Sequence, residues 1–180
     1  MTDVCSTLFL DRDGVINRPP KDRYARSWKE FYFLPGALEA MSVLADKFDR
    51  VIIVTNQQGI GKKLMTEDDL HDIHQRMTAC IEAFGGRIDG VFHCPELSEV
   101  PGNCRKPSPV MALRAKSRFP EIDFKNSLMI GDKESDLEFG INLGMEVILI
   151  ENPEERIDNE RFKSVPSYGS LIQFARQFSE

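Results

Sequence analysis

The sequence predicts an α/β fold in three layers, with a mostly parallel sheet between helices on both faces. Apolar, β-branched runs alternate along the chain with segments whose apolar residues recur every three or four positions. Strands alternating with helices build βαβ units, whose crossovers lay helices on both faces of a parallel sheet. A length of 180 residues suits one core. A single domain over 1–180 is therefore expected.

"CSTLFLD" reads as a buried strand ending at Asp11, with Cys5 at its start. "LPGALEAMSVLADKF" reads as a helix from about Pro35, and "RVIIVTN" as a strand ending at Thr55. Between Met65 and Phe84, the residues Leu70, Ile73, Met77, Cys80 and Phe84 keep helical spacing, with an extra apolar residue at Ile81. Thr66 and Asp69 resemble a capping box at its start. "IDGVFHC" is a short strand. Ser108 and Pro109 suit the N-cap and first residue of the helix "VMALRAKSRF". "SLMIGD" is a strand, "KESDLEFGINLG" a helix closed by Gly144, and "EVILIE" a strand. The insertion "RPPKDRYARSWKEFYFL" (18–34) is irregular, and loops of that length are usually functional or mobile. The polar tail over 152–166 is expected to be peripheral.

Composition excludes several classes. A hydrophobic share of 41% with 29% charged residues is that of a soluble globular chain. A net charge of -6 offers no basic footprint for nucleic acid. No apolar run approaches the roughly 20 residues of a membrane span. "MTDVCSTLFLDRDG" has no basic n-region, so no signal peptide is expected. Four cysteines make no disulfide framework at this length, which points to a reducing cytoplasm.

Ligands of such a fold bind beyond the carboxyl ends of the strands, and four strand ends carry suitable residues. In "FLDRDGVIN", an extended backbone points Asp11 and Asp13 to one side and Arg12 to the other. Two adjacent carboxylates repel unless a cation or a proton separates them, and a hard cation such as Mg2+ suits their oxygens. One could serve as nucleophile and the other as general acid/base; a strand-end turn with solvated acids fits the same four residues. In "VIIVTNQQGIG", the Thr55 hydroxyl and nearby backbone N–H groups can hold a phosphate. In "CRKPSP", Lys106 offers a point charge and Arg105 a planar fork, or the two form a solvated basic pair. In "MIGDKESD", Asp132 and Asp136 lie one helical turn apart and could be ligands or helix caps.

The order of these motifs, D-x-D, T-N, R-K-P and G-D-x-x-x-D, each after a strand, resembles the haloacid dehalogenase-like (HAD) phosphatases from about Leu8 to Ile150. "DRDGVIN", "FLPG", "VTNQQGIG", "CRKP" and "GDKESD" are most similar to the D-glycero-D-manno-heptose 1,7-bisphosphate phosphatases, and next to the histidinol-phosphate phosphatases. The resemblance implies a Rossmann-like HAD fold, here without a separate cap domain, because neither gap between motifs has room for one.

It further implies a Mg2+-dependent phosphatase acting through an aspartyl-phosphate. Asp11 would be the nucleophile and Asp13 the acid/base. The Asp11 carboxylate, the Asp13 carbonyl and Asp132 would hold Mg2+. Thr55 and Lys106 would grip the phosphoryl oxygens, with Asp136 orienting Lys106 or a metal-bound water. Arg105, Lys133, Asn17, Asn56, Gln57 and Gln58 would contact a small phosphorylated sugar. Lys21, Arg23, Tyr24 and Arg26 of a specificity loop over about 18–34 are further candidates. The expected reaction removes the C7 phosphate of a heptose bisphosphate, feeding lipopolysaccharide core or other surface glycans. Histidinol phosphate is the alternative substrate. A polynucleotide-repair phosphatase is disfavoured by the acidic charge, and a phosphosugar-binding protein without catalysis by the retained reactive residues. A cytoplasmic monomer without nucleic-acid or membrane partners is expected.

The loop over 93–107 departs from the zinc-containing members of that family. They supply a Cys-x-His and a Cys-x-Cys pair, whereas this chain keeps Cys94 and Cys104 but has Glu96 and Gly102 at the other two positions. Structural zinc needs four ligands and Cys94 and Cys104 are only two, so zinc is disfavoured, unless the loop bends to let His93, Glu96 or Glu99 complete an irregular site. Pro95, Pro101 and Pro107 would stiffen the loop instead, with packing by Leu97 and Val100. His93 points away from Cys94 if the segment is extended. His71 and His74 read as a solvated helix face, and Cys80 as core.

Overall fold

The computed structural model describes residues 7–19, 24–153 and 157–178; Cys5, Lys21 and Arg23 lie outside them. Leu8, Phe9 and Leu10 are wholly buried, and their strand β1 (Thr7–Leu10) lies between two neighbours in a six-stranded sheet. After it come β2 (Asn17–Arg18), β3 (Tyr32–Phe33), α1 (Ala37–Lys47), β4 (Arg50–Asn56), α2 (Glu67–Ala83) and β5 (Gly90–Cys94). Next are α3 (Val110–Arg118), β6 (Ser127–Gly131), α4 (Glu134–Leu143), β7 (Glu146–Ile150), β8 (Ser167–Tyr168) and α5 (Leu171–Ala175). The sheet order is β5-β4-β1-β6-β7-β8, and every pairing within it is parallel.

Strand periodicity sorts the side chains into two cores. Leu8, Leu10, Val51, Ile53, Leu128 and Ile130 join Leu44 of α1, Ile73 of α2 and Phe174 of α5 on one face. Phe9, Ile52, Val54 and Met129 join Met111 of α3 and Phe139 of α4 on the other. The three-layer α/β expectation is met. Among the described residues, the segments between motifs pack onto these two cores, and no cap stands apart.

The elements differ from expectation in three places. The 18–34 insertion is partly built: β2 and β3 pair antiparallel, and the Phe31 ring lies 5.1 Å from those of Trp28 and Phe33. α3 begins at Val110 with Pro109, not Ser108, as its flanking residue. Strand β8 and helix α5 extend the fold beyond the last predicted strand; both are too short to show periodicity, and their stability comes from packing on β7 and α1. The capping box at the start of α2 is present, with Thr66 and Asp69 bonding reciprocally.

Candidate active site

Register alone brings three strand ends together. Leu10 pairs with Ile53 on one side and Ile130 on the other, so Asp11 emerges level with Val54 and Gly131. β1 is also where the order of connection reverses, the place where such sheets form a crevice. Thr55 ends up beside this point from β4, and Asp132 from the end of β6.

Lys106 closes the crevice from the loop before α3. It is 4% exposed, and its ammonium meets three oxygens: Asp11 Oδ1 at 2.8 Å, Asp136 Oδ1 at 2.7 Å and the Val54 carbonyl at 2.8 Å. An ammonium has three donors, so this set saturates it. Burial alone would push Lys106 down, but Asp11 and Asp136 outweigh it and raise its pKa, which keeps it charged. Asn56 fixes the backbone beneath: its Oδ1 accepts the Lys106 N–H at 2.9 Å. That differs from the expected role of Asn56 as a substrate contact.

Asp13 has a separate, denser set of partners. Arg12 Nη2 donates to both its oxygens at 2.9 Å, Asn17 Nδ2 to Oδ1 at 3.0 Å, and Gln57 Nε2 to Oδ2 at 2.7 Å. Burial opposes ionisation here, yet the Arg12 charge and these hydrogen bonds win and hold Asp13 below the ordinary carboxylate range. Arg12 was expected to point away; instead its fully buried side chain curls back onto Asp13. The turn that allows this gathers the Val15, Ile16 and Asn17 N–H groups on the Arg12 carbonyl. Asn17 and Gln57, expected at the substrate, are buried against Asp13, and Gln57 Nε2 also donates to Thr55 Oγ1 at 2.8 Å. His74 is a further correction: it is not solvated but buried, with Nε2 3.1 Å from Arg12 Nη1.

Asp132 and Asp136 complete the crevice. Asp136 Oδ2 accepts the N–H groups of Asp132 and Lys133 at 3.1 Å, so the residue caps α4 while its other oxygen pairs with Lys106. Asn152 donates to Asp132 Oδ2 at 3.0 Å. Gly14, with φ at +92°, passes so close that a Cβ would collide with the Asp132 carboxylate. One oxygen each of Asp11, Asp132 and Asp136 lie within 4.8 Å of one another. These carboxylates share one buried ammonium, so negative charge is left over. Burial first, then Asp11, pushes Asp132 up to about 7. Burial, opposed by Lys106 and assisted by Asp136, raises Asp11 as well. Among the described residues, the buried Asp132 Oδ1 has no hydrogen-bond partner, and Lys133 Nζ stands off at 3.8 Å. Clustered carboxylate oxygens, excess negative charge and an orphaned acceptor fit a hard divalent cation.

The outer rim is more open. Tyr24 Oη accepts from Gln58 Nε2 at 2.8 Å and from Lys62 Nζ at 3.2 Å. Arg105 is half-buried, and its Nη1 has no hydrogen-bond partner among the described residues. Lys133 Nζ lies 3.8 Å from Asp132 Oδ1. The Arg26 N–H bonds Glu30. In the loop above, Cys94 and Cys104 are joined as a disulfide, with Cα atoms 5.5 Å apart. Glu96 Oε2 accepts the Cys104 N–H at 2.6 Å. A covalent bond and a carboxylate, neither expected from the sequence, thus hold the loop alongside its prolines. His93 does point away from Cys94, pairing with Glu67 at 2.9 Å. Cys80 is a free thiol, only partly buried.

Residues 103–168 match a family model described as HAD-hydrolase-like. A D-glycero-α-D-manno-heptose-1,7-bisphosphate 7-phosphatase of Mycobacterium tuberculosis is 40% identical over 136 residues, covering 76% of this chain and 72% of its own. The chain belongs to the heptose-1,7-bisphosphate 7-phosphatase family. As a member of that family it is a phosphatase. The Campylobacter jejuni D-glycero-α-D-manno-heptose-1,7-bisphosphate 7-phosphatase is 33% identical over 94% of this chain and 95% of its own. The crystal structure of D,D-heptose 1,7-bisphosphate phosphatase from B. bronchiseptica, complexed with magnesium and phosphate, superposes with a TM-score of 0.83 at 26% identity, covering 97% of this chain and 98% of that one. Family and fold thus agree with the sequence expectation. Sequence reasoning gives no site role to Arg12, His74 or Asn152. A charged residue between two aspartates was the only available signal for the first, and nothing local marked the others.

Proposed function

We propose that the chain hydrolyses the 7-phosphate of D-glycero-D-manno-heptose 1,7-bisphosphate through an aspartyl-phosphate on Asp11. The observation that carries this is the Asp11 carboxylate, held at the end of β1 by Lys106 with Asp13 two residues on. The family name supplies the sugar, and both curated relatives above are named for the α-anomer.

In this reading an Asp11 oxygen attacks phosphorus in line, and the bond from phosphorus to the C7 oxygen breaks. Asp13 gives the departing alkoxide a proton. It then takes one from the water that attacks the acyl phosphate, releasing phosphate and restoring Asp11. The ionised resting form of Asp13 suits the second step, and the approach of an anionic substrate would raise its proton affinity for the first. As Asp11 is phosphorylated, negative charge passes from its carboxylate to the phosphoryl oxygens, and Lys106 and Thr55 stabilise it there. Such catalysis is chiefly positioning and electrostatics. The Asp11 carboxylate, the Asp13 carbonyl and Asp132 would hold Mg2+, with Asp136 orienting Lys106. Bound there, the cation would screen the nucleophile from the anionic phosphate. Arg105, Lys133 and Gln58 are proposed to receive the rest of the substrate. Its second phosphate would suit Arg105 Nη1, which has no hydrogen-bond partner among the described residues.

The site is completed within one chain, which supports action as a monomer. No described helix is long and apolar enough to cross a membrane. The proposed setting is the cytoplasm, where the product would enter the route to nucleotide-activated heptose for surface glycans.

The test is phosphate release in Mg2+ from both heptose bisphosphate anomers and from histidinol phosphate. A higher kcat/KM for the heptose substrate is expected. Preference for histidinol phosphate would overturn the substrate, and full activity in Asp11→Asn would overturn the mechanism.

A further inference from the structure

Arg12 is a fully buried cation with few partners. Among the described residues, the acceptors its side chain reaches are the Asp13 carboxylate, bound through Nη2, and His74 Nε2, bound to Nη1; its Nε has none. The Phe31 ring lies against the guanidinium, 5.8 Å from centroid to Cζ, and supplies no lone pair. A guanidinium only donates. His74 Nε2 must therefore present its lone pair, which fixes the imidazole as the neutral tautomer with its proton on Nδ1. Burial, followed by the Arg12 charge, holds His74 well below the ordinary histidine range, in keeping with that form.

Helix α2 delivers this acceptor. Leu70, Ile73, Met77 and Ile81 bury its apolar face, and His74 lies on the same side. On its other flank His74 borders a cavity of about 690 Å³, lined also by His71 and His93. The ring thus separates an open cavity from the Arg12–Asp13 pair. Removing it would leave Nη1 to be solvated from the cavity and the guanidinium free to pivot.

We propose that His74 is a positioning residue, which orients Arg12 and through it the Asp13 carboxylate for general acid–base chemistry. This rests on the reading of Asp13 as the acid/base.

The test compares a sugar phosphate, whose alkoxide must be protonated to leave, with p-nitrophenyl phosphate, whose phenolate leaves unaided. kcat/KM reports the first half-reaction for both, and thermal melts check folding. Gln places an oxygen where His74 Nε2 lies, whereas Asn stops at the level of Nδ1. For His74→Asn, kcat/KM on the heptose bisphosphate should fall by roughly 10- to 100-fold, with a clearly smaller loss on the aryl ester. His74→Gln should recover most of it. His74→Leu, which fills the space without an acceptor, serves should the Asn variant not fold. Equal losses on both substrates, no loss, or a Gln variant no better than Asn or Leu would overturn the proposal. Asp13→Asn separates the two ideas. If it keeps full kcat/KM on the sugar phosphate, the role of Asp13 fails. If it loses that activity while His74→Asn does not, only the role of His74 fails.

Discussion

Lys106 Nζ lies 2.7 Å from Asp136 Oδ1, and both side chains are 1% exposed. Asp136 also caps α4 through its other oxygen. Removing Asp136 leaves one buried Lys106 N–H without its acceptor and α4 without its cap, which costs roughly 1–3 kcal/mol, while Asp11 still compensates the ammonium. Asp136→Ala should therefore lower stability in urea by an amount in that range. It should also lower kcat, because Lys106 loses one of its three acceptors. Unchanged stability would show that Asp11 and the Val54 carbonyl hold Lys106 unaided.

Asn152 reaches Asp132 from beyond β7, in a segment that reads as peripheral. Residues that orient a metal-binding carboxylate are typically worth about 10- to 100-fold in affinity or activity. Asn152→Ala should weaken Mg2+ binding by titration calorimetry to that extent while changing the melting temperature of the metal-free protein little. Wild-type affinity would remove Asn152 from the site.

Asp132 links stability to pH and to Mg2+. Burial, then Asp11, raises its pKa from 3.8 to about 7. Between those values the folded chain binds a proton that the unfolded chain does not. Its contribution is therefore complete at low pH, declines as pH rises through that window, and levels off above about 7. A cation on Asp132 displaces that proton, so Mg2+ affinity should rise with pH up to about 7. At 100 times its Kd, Mg2+ should add about 2.7 kcal/mol. Melting curves with EDTA or Mg2+, compared between wild type and Asp132→Asn, isolate this term. An identical Mg2+ response in the variant would exclude Asp132 as a ligand.

The Cys94–Cys104 bond closes a loop ten residues apart in sequence. Chain entropy assigns such a loop roughly 2–3 kcal/mol. Cys94→Ser should lower stability by about that amount. Activity well below the melting temperature should persist, because Asn56 anchors Lys106 independently. Differential alkylation of freshly lysed cells reads the redox state directly, since cytoplasmic thiols are usually reduced. Reduced cysteines there would place Glu96 beside two free thiols, a three-donor cluster.

Much of this protein follows from local sequence. Buried strands show as β-branched runs, and α1, α2 and α4 as helical spacing. The order of polar residues at strand ends gives the family and names Asp11, Asp13, Lys106 and Asp132, because parallel strands must deliver their carboxyl ends to one edge. The partners of those residues are another matter. That Arg12 turns back onto Asp13, that Asn17 and Gln57 brace it, and that Asn56 serves Lys106 depend on where neighbouring loops close. His74 meets Arg12 across 62 positions, and Asn152 meets Asp132 across 20. Neither contact leaves a periodic trace, because it is made once, between side chains set by packing. The sequence by itself determined the fold and the family and singled out the candidate reactive groups. Only the tertiary structure decided which buried charges compensate one another, since that depends on distances of a few ångströms between segments remote in the chain.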